Sequence, residues 1–374
     1  MFRNIQGQTS ALQILRLAME NNRVAQAYLF HGMDGVGKFT TALYFGMALN
    51  CLSKSEFRPC GVCSSCRKFL AFDHPDLLYV FPTPNLQLSL DGEIKSAEGR
   101  REYEAYIRNK IETPWEDHQF SANIMIRVES IRWLIKRLDI SKYEATQRIC
   151  IIENADQMNI ETSNAFLKTL EEPPPDTVII LITNNLSGLM PTIISRCQPI
   201  YFQPVTPQVI EGILMEKFNA SPEQARTSSH IADGSVKRAI HLVKGESSEL
   251  RDRAFEIFQM AAEDRELAYF RSLQNLPARM KAERSIELIR YICLFARDLN
   301  LAESAPGQIV NIDKQDYLLE ARARLGLVDD AVLTDRVLNF LRLMEDYIRK
   351  IRGNVNLQLV MINLHTQLRG IFRA

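Results

Sequence analysis

The stretch Ala27-Tyr-Leu-Phe-His-Gly32-Met-Asp-Gly-Val-Gly-Lys38-Phe39-Thr40 decides the fold. Its first residues are a short apolar run, which reads as a buried strand. The run ends in a glycine loop, and apolar residues at Ala42, Leu43, Phe45, Met47, Ala48 and Leu49 carry the chain on as a helix. Strand, glycine loop and helix in that order form the context of a P-loop. Gly32, Gly37 and Lys38 match the G-x4-G-K spacing, and Gly35 lies within the loop. Glycines allow backbone N–H groups to wrap phosphates, and the helix N-terminus adds positive potential. Lys38 would reach the β- and γ-phosphates of a nucleotide. The next position should carry a hydroxyl for Mg²⁺, but it is Phe39, and Thr40 comes one residue late, about 100° around the helix. The pattern predicts a P-loop fold, leaves binding of ATP or ADP open, and speaks against Mg²⁺.

Working outward, further apolar runs at Leu77–Phe81, Arg148–Ile152, Val178–Thr183 and Ile200–Phe202 read as strands. Helical patterns between them imply a parallel sheet flanked by helices, an α/β architecture. The Arg148–Ile152 run ends in Glu153-Asn154-Ala155-Asp156. In an active P-loop ATPase this strand ends in Asp-Glu, where the Asp holds Mg²⁺ and the Glu polarises the attacking water. Here Glu153 is longer than the expected Asp, Asn154 cannot act as a base, and Asp156 is expected to cap a helix. Two separate elements of the catalytic apparatus, the hydroxyl and the carboxylate pair, are therefore both altered. Thr162–Glu172 reads as a helix stopped by Pro173-Pro174-Pro175.

Four of the seven cysteines, Cys51, Cys60, Cys63 and Cys66, lie in a C-x8-C-x2-C-x2-C cluster. Thiolates two residues apart on a tight turn can point at one centre, and four complete a tetrahedral zinc site with no open position. The expectation is a structural zinc. An iron–sulfur cluster uses similar spacings and is the alternative.

With 46% hydrophobic and 24% charged residues, the 374-residue chain has an ordinary globular composition and room for two or three cores. Lysine plus arginine and aspartate plus glutamate are 45 each, which argues against a free-standing nucleic-acid binder held by a strong positive field. No run approaches the roughly 18 apolar residues of a membrane span, and the start lacks signal-peptide character, so no membrane association and a cytoplasmic location are expected. The expected domains are 1–204, a P-loop domain with a cysteine module at 51–66 and a polar insertion at 84–125, then a helical lid at 205–246 and an all-helical domain at 247–374. Glu102–Ile111 reads as a short helix in the insertion, and Ser130–Arg137 as a basic helix. Gly245–Glu249 reads as a linker.

Asn164-Ala-Phe-Leu-Lys-Thr-Leu-Glu-Glu-Pro-Pro174, Ser195-Arg196-Cys197, the opening Gly7-Gln8 and the cysteine cluster after the P-loop, taken in order, resemble the AAA+ clamp loaders of bacterial DNA replication. The resemblance covers essentially the whole chain. It implies a subunit of the DNA polymerase III holoenzyme that helps place a sliding clamp on primer–template DNA. Its partners would be tau/gamma and delta subunits in a hetero-pentamer. The intact Gly-Lys-Thr/Ser and Asp-Glu of the tau/gamma motor are missing, so the chain looks like the delta prime branch, with its own ATPase weak or absent. The alternative is an active tau/gamma-like motor that tolerates Phe39. By the resemblance, Arg196 reaches across an interface to a neighbour's ATP, where a guanidinium stabilises phosphoryl-transfer charge; the plain alternative is a surface ion pair. Thr183 matches sensor 1 and Lys237, in Gly234-Ser-Val-Lys237, matches sensor 2, with a solvated helix face as the alternative for Lys237. The cofactor-site residues implied are Gly32, Gly35, Gly37, Lys38, Thr40, Glu153, Thr183 and Lys237. Arg132, Lys136 and Arg137 are candidate phosphate contacts or a solvated face. The C-terminal helices, closing with Asn354–Leu359, resemble the oligomerising collar, with an ordinary helical bundle as the alternative.

Overall fold

A computed structural model describes residues 5–373 except 54–57, 90, 117, 119, 121–122, 246–247, 275–281, 327 and 353–356. Parts of the 84–125 insertion, of the Gly245–Glu249 linker and of the Asn354–Leu359 stretch thus lie outside the described residues. The expected strands are present as β1 (Ala27–Gly32), β2 (Leu77–Val80), β3 (Arg148–Ile152), β4 (Thr177–Thr183) and β5 (Gln198–Phe202). They form one parallel sheet in the order β2-β3-β4-β1-β5. The central strands β3 and β4 are buried along their whole length, which explains why their sequences are unbroken apolar runs. The edge strand β5 alternates, and Pro199, which has no N–H to give, is tolerated there.

The sheet is covered on both faces, and β1 shows how. Ala27 and Leu29 join the core formed with α5 (Val128–Asp139) and α6 (Ile160–Glu171), through Ile131, Leu134, Phe166 and Leu170. Tyr28 and Phe30 point the other way, as successive strand residues must. Tyr28 meets Phe45 of α2 (Lys38–Leu49) edge-on, at 5.6 Å between ring centroids, and Phe30 meets Phe202 at 5.1 Å. The remaining helices in order are α1 (Thr9–Glu20), α3 (Ser64–Leu70), α4 (Ala97–Glu112), α7 (Pro191–Ile194), α8 (Pro207–Phe218), α9 (Pro222–Ile231), α10 (Val236–Val243), α11 (Ser248–Ala262), α12 (Glu266–Gln274), α13 (Ala282–Leu301), α14 (Gln315–Arg324), α15 (Asp330–Arg352) and α16 (Leu357–Phe372). No described helix is long and apolar enough to cross a membrane.

The chain divides into two compact units, Met1–Ile213 with Asp233–Ile240, and Leu214–Ala232 with His241–Ala374. The boundaries run through α8 and α10, with Asp233 and Gly234 both at positive φ between the helices. The second unit is all-helical, its core built by α11, α13, α15 and α16 around Phe258, Phe295, Met344 and Leu364. Tyr269 is buried and donates its hydroxyl to the Met361 carbonyl at 2.6 Å. On α15 and α16, Phe340, Val360 and Leu364 enter this core, whereas Leu338, Leu359 and Ile362 stay exposed.

One polar cluster in the first unit ties the α5–β3 connection to β2. The buried Asp76 carboxylate accepts the backbone N–H groups of Tyr143, Glu144 and Ala145 at 2.8–2.9 Å, and Arg148 Nε lies 3.9 Å away. Arg148 in turn donates to the carbonyls of Leu138 and Ile140 at the end of α5, at 2.8 and 2.5 Å. Burial raises the affinity of Asp76 for a proton, but the three N–H donors and Arg148 outweigh it and hold the carboxyl below its ordinary value. Since the folded pKa lies below the unfolded one, this contribution is complete above about pH 4 and is lost as pH falls through the folded value. Asp76→Ala should therefore destabilise the first unit by about 3 kcal/mol near neutral pH, because Arg148 is left buried without its partner. Urea unfolding of variant and wild type should show the difference shrinking below about pH 4.

Candidate nucleotide and metal sites

β1 delivers the glycine loop to the C-terminal end of the sheet, beside the ends of β3 and β4. Gly37 begins α2 at φ 94°, in the left-handed region, and a Cβ there would meet nothing within 4 Å, so its requirement is conformational. At Gly35 (φ 76°) packing adds a second requirement, since a Cβ would fall 2.2 Å from Ser235 Oγ and 2.7 Å from Lys237 Cβ. The N-terminal end of α10 therefore sits directly on the loop. Lys237 Nζ pairs with Asp34 at 3.2 Å, and its backbone N–H reaches the Gly35 carbonyl at 3.4 Å. Lys237 is thus brought to the P-loop rather than left on a solvated helix face.

Lys38 is buried, and its ammonium donates to the carbonyls of Gly32 at 2.9 Å and Met33 at 2.5 Å. Burial lowers its pKa to about 8, against the pull of Asp34, Glu153 and Asp156. The lysine is thus surrounded by the acidic groups that a phosphate-binding loop would keep for metal and water. Thr183, at the end of β4, is buried; its hydroxyl donates to Asp156 Oδ1 at 2.6 Å and accepts the Asn185 N–H at 2.9 Å. Asp156 does not cap a helix as its position suggested. It lies in a short 3₁₀ turn, Ala155–Gln157, and the cap of α6 is Asn159, whose side chain accepts the Thr162 N–H at 2.8 Å. Thr40 is half-buried on α2, one step around from Phe39, and the next residue, Thr41, returns its hydroxyl to the Gly37 carbonyl at 2.8 Å.

Phe39 and Glu153 are joined by residues that the sequence did not point to. Glu153 Oε1 accepts from Lys110 Nζ at 2.7 Å, and Oε2 accepts from Tyr106 at 3.2 Å and from Tyr79. Burial raises the Tyr79 phenol well above its ordinary pKa, and the charge of Glu153 adds to that, so Tyr79 remains a donor. The Phe39 ring stacks on Phe72 and touches Tyr79, and Lys110 Nζ lies 4.1 Å from its centroid. Lys110 and Tyr106 belong to α4, inside the insertion. Nothing in their spacing marks them, because they meet Glu153 only through the fold.

Arg196 lies just after α7. Its Nε donates to Glu171 at 2.9 Å, its Nη2 also pairs with Glu171, and its Nη1 donates to the Thr192 carbonyl at 2.8 Å. In the single chain it is therefore held by an ion pair at the end of α6. On the basic helix, Arg132 pairs with Glu161 at 3.8 Å and Lys136 with Asp91 at 2.6 Å.

A family model described as "DNA polymerase III, delta subunit" matches residues 7–206, more than half of the chain. The chain belongs to this family. The delta prime subunit of DNA polymerase III from Bacillus subtilis (strain 168) is 27% identical over 362 residues, 96% of this chain and 94% of that protein. The tau subunit of the same organism is 27% identical over 247 residues, covering 65% of this chain and 37% of tau. Among solved structures, a gamma-subunit-related protein of DNA polymerase III from Thermotoga maritima is similar at 15% identity and TM-score 0.43, covering 97% of this chain and all of that one.

In this member of the delta-subunit family the four clustered cysteines come together as expected. One sulfur from each of Cys51, Cys60, Cys63 and Cys66 lies within 4.8 Å of the others. The sulfurs of Cys60 and Cys66 are 4.0 Å apart, close to the roughly 3.8 Å edge of a tetrahedron with Zn–S bonds near 2.3 Å. Backbone N–H groups of Cys60, Cys63 and Cys66 each point at the sulfur of the preceding cysteine at 3.4 Å. Donors from Val62 and Cys63 lower the Cys60 thiol to about 6, whereas burial raises Cys66. N–H donors directed at sulfur favour thiolate, the form that binds metal. The group could therefore hold a metal in a closed, structural site. Cys63→Ser should remove a tightly held ion, seen as loss of stoichiometric metal by elemental analysis, and should lower the melting temperature of the first unit by several degrees.

Proposed function

We propose that this chain is the delta prime-like subunit of a bacterial clamp loader, acting in the cytoplasm with tau/gamma and delta partners in a hetero-pentamer that places a sliding clamp on primer–template DNA. In this reading it hydrolyses no ATP itself and lends Arg196 to the ATP site of a neighbour. The observation that carries it is the state of the P-loop. Gly32, Gly35, Gly37 and Lys38 keep the phosphate-binding frame, while Phe39 offers no metal-binding hydroxyl and both oxygens of Glu153 are engaged. The family relationship along nearly the full length of a delta prime subunit supports the assignment. The alternative, a tau/gamma-like motor, needs Glu153 released from three partners and an oxygen where Phe39 stands.

For Arg196 the reading requires an exchange. In the assembly, the guanidinium would leave Glu171 Oε1, which accepts from both Nε and Nη2, for a γ-phosphate of higher charge that can accept the two donors on separate oxygens. Thr183 with Asp156, and Lys237 with Asp34, would keep the sensor positions braced without a nucleotide. Zinc is the proposed occupant of the four cysteines, bracing the segment between α2 and α3. The proposed domains are the P-loop domain at 1–204, the lid at 205–246 and the collar at 247–374.

The reading is tested in the reconstituted loader. Arg196→Ala should leave assembly intact by size-exclusion chromatography, yet slow single-turnover hydrolysis at the adjacent ATP site by on the order of 10³-fold. Arg196→Lys, which keeps the charge but not the planar fork, should recover little of it. An unchanged rate at that site would refute the donated-arginine role.

A further inference from the structure

The place where a P-loop keeps its divalent cation is defined by two side chains, the one following the loop lysine and the first carboxylate after β3. In this chain those positions are Phe39 and Glu153, and the group between them is the ammonium of Lys110. It lies 2.7 Å from Glu153 Oε1 and 4.1 Å from the centre of the Phe39 ring. Lys110 and Glu153 are both largely buried, with side chains 13% and 14% exposed, so this is not a solvent-screened surface pair. Both sides of the arrangement suit an organic cation. A carboxylate gives it a charge-assisted hydrogen bond, and an aromatic face gives it a cation–π contact that water would otherwise replace.

The same geometry does not suit Mg²⁺. That ion demands about six oxygen ligands at roughly 2.1 Å in near-octahedral order. Phe39 has no oxygen to offer, and both oxygens of Glu153 are engaged, one by Lys110 and the other by Tyr79 and Tyr106. Seating a metal would expel the ammonium and break the tyrosine contacts together.

The helix that carries Lys110 is held firmly enough to keep it there. α4 begins with Ser96 accepting the Gly99 N–H at 3.0 Å. Its Tyr106 ring stacks on Phe81 at 4.0 Å between centroids, and its Tyr103 ring stacks on the same Phe81 at 5.5 Å. Phe81 directly follows β2, so the insertion is pinned to the sheet edge that leads into the site. The 84–125 segment is otherwise unexplained by the proposed function.

We propose that the insertion helix α4 is a built-in plug for the metal half of the P-loop, with the Lys110 ammonium standing where an active site holds its divalent cation. The insertion makes the site metal-independent in cis. Any polyphosphate held by Gly32–Lys38 is held without Mg²⁺, and the defect in hydrolysis has two layers, the lost ligands and a cation that occupies their place. The inference rests on the P-loop reading but not on Arg196 or on the clamp-loader partners, so it is tested on the isolated full-length chain.

The probe is the non-hydrolysable nucleotide ATPγS, with binding measured by calorimetry in Mg²⁺ and in EDTA. Wild type should show the same affinity in both; binding tighter in Mg²⁺ by on the order of tenfold would overturn the proposal without any variant. Phe39→Thr alone, which restores the hydroxyl, should still show no Mg²⁺ dependence, because Lys110 remains. Phe39→Thr combined with Lys110→Met should bind more tightly in Mg²⁺ than in EDTA by on the order of tenfold or more, and Lys38→Ala added to that pair should abolish the gain. A single Phe39→Thr variant that gains as much as the pair, a pair that gains nothing, or a gain that survives Lys38→Ala would each overturn it. Should the methionine variant fold poorly by circular dichroism, Lys110→Gln, which keeps the stem and a hydrogen-bonding tip without the charge, takes its place with the same expectations.

Discussion

β1 lies between β4 and β5, paired on both sides in parallel register from Ala27 with Ile179 to Gly32 with Phe202. The first unit depends on this placement. It inserts a strand from early in the chain between two strands, β4 and β5, that come more than a hundred residues later. The turn after β1 then opens beside Glu153 and Thr183, the residues that end β3 and β4. Because every one of these strands is parallel, all their C-terminal ends lie on one edge, and the loops there share one crevice. Lys38, Asp156, Thr183 and Glu153 are neighbours for that reason alone.

Once the crevice exists, its character is set by how charge is balanced inside it. Lys38 turns to its own loop carbonyls, Asp34 is answered by Lys237, Asp156 by Thr183, and Glu153 by Lys110 and two tyrosines. Two of its carboxylates, Asp34 and Glu153, are thus paired with lysines from outside the glycine loop. A buried charge without a partner is costly, so loss of the metal ligand at Phe39 obliges another cation to answer Glu153. The insertion supplies it. The change at residue 39 and the added helix are, in this sense, two parts of one electrostatic solution.

Elsewhere the same rule is met in other ways. The Asp76–Arg148 cluster satisfies the turn before β3 with backbone N–H groups and the last carbonyls of α5. In the helical unit, Asp298 is fully buried and accepts from the backbone and side chain of Asn311. The cysteine cluster brings four sulfurs together through local turns, with α3 starting at Cys63 and the N–H groups of the turns directed at sulfur. Donors meet the buried acceptors in each case, although Oδ1 of Asp298 has no hydrogen-bond partner among the described residues.

How much of this was legible beforehand follows from sequence distance. The glycine loop, the apolar strands and the cysteine spacing are local patterns whose physics acts within a few residues, and they foretold the parallel sheet, the loop around Lys38 and the clustered thiols. The altered chemistry at Phe39 and Glu153 was visible too, because each is judged against its immediate neighbours. Asp156 was misread as a cap, since its partner, Thr183, lies 27 residues on at the end of another strand. Sequence alone thus determined that this chain carries a P-loop frame stripped of its metal-binding hydroxyl. Only the tertiary structure decided what stands in the metal's place, because Lys110 and Glu153 are 43 residues apart and meet through stacked rings and strand order that no local pattern encodes.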